Sequence, residues 1–492
     1  MSRRTRVLIA LAVAVVLAVA GAVWAYDSDR GPAPPGPSAT GLSQAWTAHP
    51  SGVDTGPAGA WVTGRDVVVN VGNGLVAYKL GSGHTDWSWH PPAGRYFDDM
   101  SPTADLGVAV VAYGTGASAS ASANPNTGGT ATASPSPGSS ASPSTESGVG
   151  AGAAAIETVA AINLTTGRLL WSTPLADPIG WPGPVVGDGR VAVLEQTASG
   201  GFGALDVLNL STGVLDWSTA SDTEIPASCA FTSAAISGGL VYGAAQCPQP
   251  GVNDTLSPTG PTGPSTEILY GFAPETGAIQ TNTSTSGFLC TDPDQNTYAT
   301  LWAEGGYLLV SCSENTTTSE PLWIAATGAT SASGATSAPG TLKLVAARFV
   351  SQTDPLSYEF ENLEYPAFAV VGRVLYLQVL IPAGSGGRAA VTALDLGTGR
   401  QLWREPIPGG SGYLVGADST GATVALESGG TLSLAHVART TGTITYGPGA
   451  SLAATAGSRE TYRVLAAGTS LIAVLPGSRA AEVIEFHRVA AG

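Results

Sequence analysis

The fold is decided by the stretch VTALDLGTGRQLW at residues 391–403, because close copies of it recur along the chain. The copies are LVAYKLGSGHTDW (75–87), VAAINLTTGRLLW (159–171) and DVLNLSTGVLDW (206–217). In each copy a small or branched residue is followed six residues later by glycine and ten residues later by tryptophan. Weaker copies at 269–281 and 434–446 carry Thr281 and Tyr446 in the tryptophan position. The chain is therefore built from repeats.

Each copy predicts two antiparallel strands joined by a tight turn. The alternating apolar residues before the turn are typical of a half-buried strand. A short polar side chain, as in Asp395, Asn163 or Asn209, opens the turn because it can bond its own backbone. The glycine takes a positive φ, and the tryptophan on the return strand is suited to packing one sheet against the next.

The spacing of the repeats indicates a β-propeller. Gly167 and Gly213 lie 46 residues apart, and Gly399 and Gly442 lie 43 apart. Wider intervals contain biased insertions, near 114–153, 250–266 and 327–340. A unit of about 40–48 residues with four short strands is one propeller blade. The repeat positions count eight blades, or seven if the degenerate region before residue 391 forms only one. The tryptophans expected to pack between blades are Trp46, Trp87, Trp171, Trp217 and Trp403.

The two ends of the repeat region are expected to complete one blade. The last unit has strands near 462–465, 471–475 and 482–486 and lacks a fourth. The segment LSQAWTA (42–48) carries Trp46 on a strand without preceding partners. We therefore predict an all-β propeller over 42–488, closed by the N-terminal strand, with 114–153 as a disordered insert because it is almost free of large apolar residues.

The N-terminus predicts export. Residues 1–6 are basic, and the uninterrupted apolar run 7–26 is long enough to span a hydrocarbon core of about 30 Å. Arginines before the run favour the cytoplasmic side, so we expect a transmembrane signal-anchor with everything after it outside the cell. The alternative is a cleaved signal peptide and a secreted chain. Residues 27–41 form a Pro-rich linker.

Composition narrows the class of partner. The formal net charge is −16, which disfavours binding to nucleic acid. Only Lys79 and Lys343 are lysines, a bias that hints at a GC-rich actinobacterial genome.

Four cysteines fit an oxidising compartment and suggest two disulfides, with free buried thiols as the alternative. A turn at 237–239 would set Ile236 opposite Leu240 and, in the same register, Cys229 opposite Cys247. Cys290 and Cys312 flank the next hairpin out of register, so their bridge would involve a loop. A single bridge between blades is the other pairing left open.

The motif A-x-D-x-x-T-G-x-x-x-W at 393–403 resembles the repeat of quinoprotein-type (PQQ-binding-like) propellers. The resemblance covers about 42–487. That family includes PQQ dehydrogenases and the propeller subunit of the outer-membrane barrel assembly machinery, and the chain resembles the latter more. The dehydrogenases hold PQQ beneath a disulfide between adjacent cysteines, and no two cysteines are adjacent here. We therefore expect no cofactor and no catalytic residues.

The remaining polar motifs are weak. Asp292, Asp294 and Asn296 match the first ligands of a calcium loop, but Thr297 and Ala303 stand where that loop needs Gly and Glu. We expect an Asx-rich turn there and no bound metal. The sequence thus favours a monomeric, membrane-anchored scaffold or sensor that binds other envelope or secreted proteins. The alternatives are a receptor for a small ligand, such as a carbohydrate or quinone-like molecule, and a PQQ-type oxidoreductase.

Overall fold

The structure, a computed structural model, describes residues 40–50, 60–71, 73–115, 155–177, 179, 183–196, 202–226, 228–248, 265–283, 298–313, 322–327, 344–346, 368–383, 386–407, 411–428, 431–451, 463–467, 470–475 and 482–490. Within these ranges the regular structure is β-strand, apart from a 3-10 turn at Thr219–Ser221. No helix in the described ranges is long and apolar enough to cross a membrane. The predicted anchor at 7–26 lies outside them.

The strands are short and follow one another through antiparallel hairpins. They are β1 (Thr40–Ala48), β2 (Ala60–Val62), β3 (Asp66–Asn70), β4 (Leu75–Lys79), β5 (Thr85–Trp89), β6 (Arg95–Met100), β7 (Val108–Thr115), β8 (Ala155–Asn163), β9 (Leu169–Pro174), β10 (Val185–Gly187), β11 (Arg190–Gln196), β12 (Phe202–Asn209), β13 (Leu215–Ser218), β14 (Ala230–Ser237), β15 (Leu240–Pro248), β16 (Ser265–Phe272), β17 (Ile279–Asn282), β18 (Tyr298–Glu304), β19 (Tyr307–Ser313), β20 (Trp323–Ala326), β21 (Leu344–Ala346), β22 (Phe368–Val371), β23 (Val374–Ala383), β24 (Gly386–Asp395), β25 (Gln401–Pro406), β26 (Ser411–Ala417), β27 (Gly421–Ser428), β28 (Thr431–Ala438), β29 (Ile444–Tyr446), β30 (Ala450–Ser451), β31 (Arg463–Ala467), β32 (Ser470–Leu475) and β33 (Glu482–Ala490).

The described strands form an all-β propeller. Six sheets have the size of one blade: β2–β5, β6–β9, β18–β21, β22–β25, β26–β30, and β31–β33 with β1. The remaining strands, β10 to β17, form one sheet of eight strands. Its two halves, β10–β13 and β14–β17, join where Gly203 pairs with Phe231. The expectation of eight separate blades is therefore wrong for the described sheets, because β14 starts beside β12 and continues its hydrogen bonding.

The first described strand and the last are paired. β1 lies antiparallel to β33, with Thr40 opposite Ala490 and Trp46 opposite Glu485. The predicted ring closure is thus confirmed, although β1 begins two residues before 42 and β33 ends two residues after 488. The Pro-rich linker is correspondingly shorter than 27–41.

Buried apolar clusters lie between this closing sheet and both of its neighbours. On one side Leu42 and Phe486 pack with Ala425 of β27. On the other side Trp46 and Val483 pack with residues of the β2–β5 sheet. Among the described residues, no strand of the closing sheet pairs with a strand of either neighbouring sheet. Apolar residues are instead buried on both of its faces. Such burial is the main favourable term in folding.

The long insertion starts later than the sequence predicted. Gly114 and Thr115, expected to begin the insert 114–153, belong to β7 and pair with Ile156 and Ala155 of β8. Both residues belong to the hydrogen-bonded ladder between β7 and β8, because these two strands extend beyond their apolar residues. The rest of the predicted insert, from residue 116, lies outside the described residues.

Candidate functional site

Each blade has two ends that differ in their connections. A blade here means four consecutive strands in one sheet or in one half of the eight-stranded sheet. The turns from first to second strand and from third to fourth strand lie at one end, which we call the turn face. The links from second to third strand, and from one blade to the next, leave the opposite end, which we call the loop face. The strands that flank 116–154 and 249–264 end at the loop face, whereas Thr40 and Ala490 lie at the turn face.

The repeat motif builds the turn face. In the turn after β24 the Asp395 carboxylate accepts hydrogen bonds from both the backbone N–H and the hydroxyl of Thr398, each at 2.8 Å. The Gly399 N–H donates to the Asp395 carbonyl oxygen at 2.7 Å. Gly399 has a φ of 66°, in the left-handed region that favours glycine. The predicted Asx-type turn is therefore present with its glycine in the expected conformation.

Tryptophans on fourth strands contact the turn face of the next blade. The Trp171 indole donates to the Leu210 carbonyl oxygen at 2.7 Å. Its ring lies against Gly213, where a Cβ atom would come within 2.4 Å of Trp171 Cε3. The same donation joins Trp87 to Leu164 at 3.2 Å, Trp217 to Pro274 at 2.9 Å and Trp403 to Arg439 at 2.6 Å. The motif glycine thus serves its own turn and also makes room for the preceding blade's tryptophan.

The ring seam uses a different acceptor. Trp46 packs against Gly83 of the following turn. Its indole N–H donates to the Glu485 carboxylate, as does the backbone N–H of Gly81. Glu485 occupies the position that a small residue holds in the other copies, and it is buried. A carboxylate therefore joins the first and last blades, whereas the four junctions made by Trp87, Trp171, Trp217 and Trp403 use a backbone carbonyl.

A disulfide lies at the loop face. Cys229, just before β14, is bonded to Cys247 of β15, with a Cα–Cα distance of 4.2 Å. The two cysteines are 18 residues apart in sequence. They do not provide the adjacent-cysteine disulfide that the PQQ resemblance would require, so no step through that cofactor follows from them. Cys290 lies outside the described residues, so its predicted pairing with Cys312 stays a prediction.

Two buried carboxyl groups meet near the loop-face end of β11 and β12. Burial raises the pKa of Glu195 to about 7, and the neighbouring Asp206 carboxylate adds to the increase. Burial also raises the pKa of Asp206, which is opposed by hydrogen bonds from Ser218 and Glu195. Burial and the neighbouring carboxylate therefore both favour the protonated form of Glu195.

A third buried carboxyl group lies between β16 and the next blade. Glu267 Oε1 accepts hydrogen bonds from the Thr232 hydroxyl at 2.6 Å and from the Ala299 N–H at 3.2 Å. Its other oxygen, Oε2, is buried and has no hydrogen-bond partner among the residues that the structure describes. Burial raises the pKa of Glu267 to about 7, and the two hydrogen bonds only partly offset the increase. This carboxyl is therefore neutral over much of the range in which an ordinary glutamate is charged.

The sequence did not identify these carboxyl groups. Glu195, Asp206 and Glu267 stand in alternating strand segments, where an acidic residue usually faces solvent. The signal that was present is an apolar neighbour in sequence, on both sides of Asp206 (Leu205 and Val207) and on one side of Glu195 and of Glu267. In the described ranges no three His, Cys, Asp or Glu residues are grouped so that they could hold a metal ion. The calcium-like motif at 292–296 lies outside those ranges.

Comparisons with known proteins agree on the repeat. Residues 155–280 match the family model described as "Outer membrane protein assembly factor BamB". A search of curated proteins finds no match. The quinohemoprotein alcohol dehydrogenase of Comamonas testosteroni is similar in structure, with a TM-score of 0.50, 11% identity, and coverage of 91% of this chain and 76% of that one. At this identity the likeness concerns the fold alone.

Two further solved structures are similar with lower scores. BamB from Moraxella catarrhalis has a TM-score of 0.45 and 14% identity, covering 91% of this chain and 99% of that one. A europium-containing methanol dehydrogenase has a TM-score of 0.48 and 11% identity, covering 91% and 93%. Through residues 155–280, the chain resembles the PQQ-like repeat propellers that the BamB family model describes.

Proposed function

We propose that this chain is a membrane-anchored, extracytoplasmic scaffold that binds other envelope or secreted proteins. The observation that carries the proposal is the match of residues 155–280 to an assembly-factor family. These residues form β8 to β17, the blades around the disulfide and the Glu195–Asp206 pair. The finer parts of the proposal are that the chain is monomeric, is no enzyme, and is held by residues 7–26.

We also propose that the two halves of the eight-stranded sheet pack against each other as consecutive blades do. The two halves of the eight-stranded sheet are joined by the single residue pair Gly203–Phe231. A buried apolar cluster that includes Leu205, Phe231 and Phe272 lies between these halves, like the clusters between separate sheets.

The loop face is the surface that we propose for partner binding. The strand ends at this face flank the long connections, and binding residues are commonly carried on such loops over a rigid scaffold. Its described charges are mostly acidic: Glu224 is exposed, Asp177 is exposed, and Glu157 is half exposed beside Arg95. We therefore expect partners that present a basic surface, since opposite potentials steer association.

Affinity purification of the full chain from crosslinked membranes tests this function. A Thr223→Lys, Glu224→Lys double variant places positive charge on the loop face and should recover at least about tenfold less partner, since like charges placed together in an interface cost several kcal/mol. A Thr165→Lys, Thr440→Lys variant puts the same side chains on exposed turns of the opposite face and should leave recovery unchanged. Recovery of the bait alone would contradict the scaffold. A small ligand that raises the melting temperature of the purified chain would favour the receptor hypothesis in its place.

A further inference from the structure

Large exposed apolar side chains gather at one part of the turn face. Leu106, on the turn between β6 and β7, is 85% exposed, and Val214, in the turn before β13, is 62% exposed. Leu169 and Leu170 of β9 and Leu215 of β13 are exposed as well. These five residues, called here the apolar rim, belong to two consecutive blades. Most of the large exposed apolar residues in the described ranges are in it.

Hydrogen bonds join the turns that carry the apolar rim. The Leu164 N–H donates to the Gly107 carbonyl oxygen at 2.9 Å, which joins the Leu106 turn to the turn before β9. The Thr173 hydroxyl of β9 donates to the Gly213 carbonyl oxygen at 2.7 Å. Gly213 adjoins Val214, so the turns that carry the rim are joined by hydrogen bonds within one blade and on to the next.

A β-bulge contributes to the exposure of Leu170. Ala161 of β8 pairs with Trp171, but Ile162 pairs with Leu169, which leaves Leu170 as the extra residue. The equivalent bulge residue in the following blade is Asp216, which makes an ion pair with Arg190 at 2.9 Å. A bulge re-aims a side chain outward. At one blade the bulge therefore presents leucine where its neighbour presents a paired carboxylate.

The chain enters the propeller at this same face. Thr40 begins β1 at the turn face, opposite Ala490. Thirteen residues, 27–39, separate Thr40 from the apolar run 7–26. An extended chain spans about 3.1–3.5 Å per residue, so this separation is at most about 45 Å. Thr40, on the turn face, therefore lies within about 45 Å of the surface of any bilayer that contains residues 7–26.

The turn face carries charges of both signs, with Asp105 beside Leu106 and Asp216 beside Leu215, whereas the described basic side chains are nearly confined to this face. Of the Lys and Arg side chains that the structure describes, Arg95 and Arg404 are the ones that lie away from the turn face. Arg168, next to Leu169, is exposed. Basic residues beside exposed leucines are typical of surfaces that rest in the interface of a phospholipid bilayer, where the apolar side chains enter the headgroup region.

We propose that the apolar rim rests on the outer surface of the phospholipid bilayer that holds the chain's own N-terminal segment, so that the loop face points away from the membrane. The inference rests on the membrane anchoring in the proposed function. It goes beyond it by fixing which face of the propeller meets lipid. A patch of this kind on a protein surface otherwise marks a contact with another protein.

Photocrosslinking in vesicles of phosphatidylcholine with phosphatidylglycerol tests the orientation. The purified full chain is reconstituted with the photoreactive amino acid p-benzoylphenylalanine at Leu106, at Val214 or, as a control in the same blade as Val214, at Thr223 of the loop face. Lipid adducts identified by mass are expected at Leu106 and Val214, at least about tenfold above those at Thr223. All three positions are exposed, so none needs the core to rearrange.

The outcomes separate the orientation from the anchoring. A chain that fails to float with the vesicles refutes the anchoring, and the orientation with it. A chain that floats but gives equal adducts at the three positions refutes the orientation alone. Adducts at Leu106 to a second copy of the chain instead of lipid would also overturn the proposal, because they identify the rim as a protein contact.

Discussion

Replacing Glu267 by glutamine is predicted to stabilise the protein at pH 8 and much less at pH 5. The side chain is 2% exposed, and its Oε1 accepts from Thr232 and Ala299. Its pKa is about 7 in the folded chain, against an ordinary value of 4.5. The folded state therefore keeps a proton that the unfolded chain loses. Stability from this group is fully present below pH 4.5 and is lost as the pH rises through 7.

The magnitude follows from the two pKa values. The cost of folding with Glu267 in place of an ordinary glutamate is about 1 kcal/mol at pH 5 and about 3 kcal/mol at pH 8. Glutamine keeps the accepting oxygen and never ionises. Its new N–H groups carry a desolvation cost, but that cost is the same at both pH values. The free-energy difference between variant and wild type should thus change by about 2 kcal/mol in favour of the variant between pH 5 and pH 8.

Denaturant unfolding of the purified full chain, followed by tryptophan fluorescence at both pH values, measures this change. Glu157→Gln is the matched control. Hydrogen bonds from Arg95, and then Thr115, lower the pKa of Glu157, so that variant should not gain on the wild type as the pH rises. A pH-independent effect of Glu267→Gln, or a larger loss at pH 8 than at pH 5, would show that the buried carboxyl is charged in the folded state and refute the reasoning.

Two further changes test the packing at each face. Gly213→Ala should lower the free energy of unfolding by at least about 3 kcal/mol, because a Cβ there meets the Trp171 ring and the φ is 70°. The control Gly189→Ala, at a φ of 73° with open space around it, should lower it by only about 1 kcal/mol. Equal losses would mean that the tryptophan contact contributes nothing. Replacing Cys229 and Cys247 together by serine should lower stability by about 3 kcal/mol, as expected for a closed loop of 18 residues; calorimetry that gives an unchanged melting temperature would count against a structural role for the bridge.

The repeat motif predicted most of the fold because its information is local. The turn needs glycine at a positive φ and a short polar residue at its start, and both requirements are visible in one segment, as at Asp395 and Gly399. Ring closure was also predictable, since Trp46 stood on a strand without a partner. The number of separate sheets was not, because it depends on the single pairing of Gly203 with Phe231 between distant segments.

The disulfide shows how a correct pair can follow from an incorrect register. A turn at 237–239 was expected to place Ile236 opposite Leu240. In the structure the turn has two residues, Gly238 and Gly239, and Ile236 pairs with Val241. A bulge at Thr232 then shifts the register back by one, so that Ala230 faces Gln246. Cys229 and Cys247 therefore meet as expected only because the bulge compensates for the turn.

The buried carboxyl groups could not be predicted, because their environments come from different strands. Burial raises the pKa of Glu267 to about 7, and the residues that surround this carboxyl group include Thr232 of β14 and Ala299 of β18, which lie 35 and 32 residues away in sequence. The apolar rim could not be predicted from the sequence for a similar reason. Leu106 and Val214 look like ordinary strand residues in sequence, and only the turns place them on one surface.

Photocrosslinking in intact cells is the direct test of whether the propeller binds envelope proteins through its loop face. With p-benzoylphenylalanine at position 224 of the loop face, we expect a discrete protein adduct that is heavier than the chain. The same adduct should be absent when the photoreactive residue is at position 106 of the turn face. Mass spectrometry would identify the partner. The claim would be contradicted if Glu224 gave no protein adduct while protein adducts formed at Leu106.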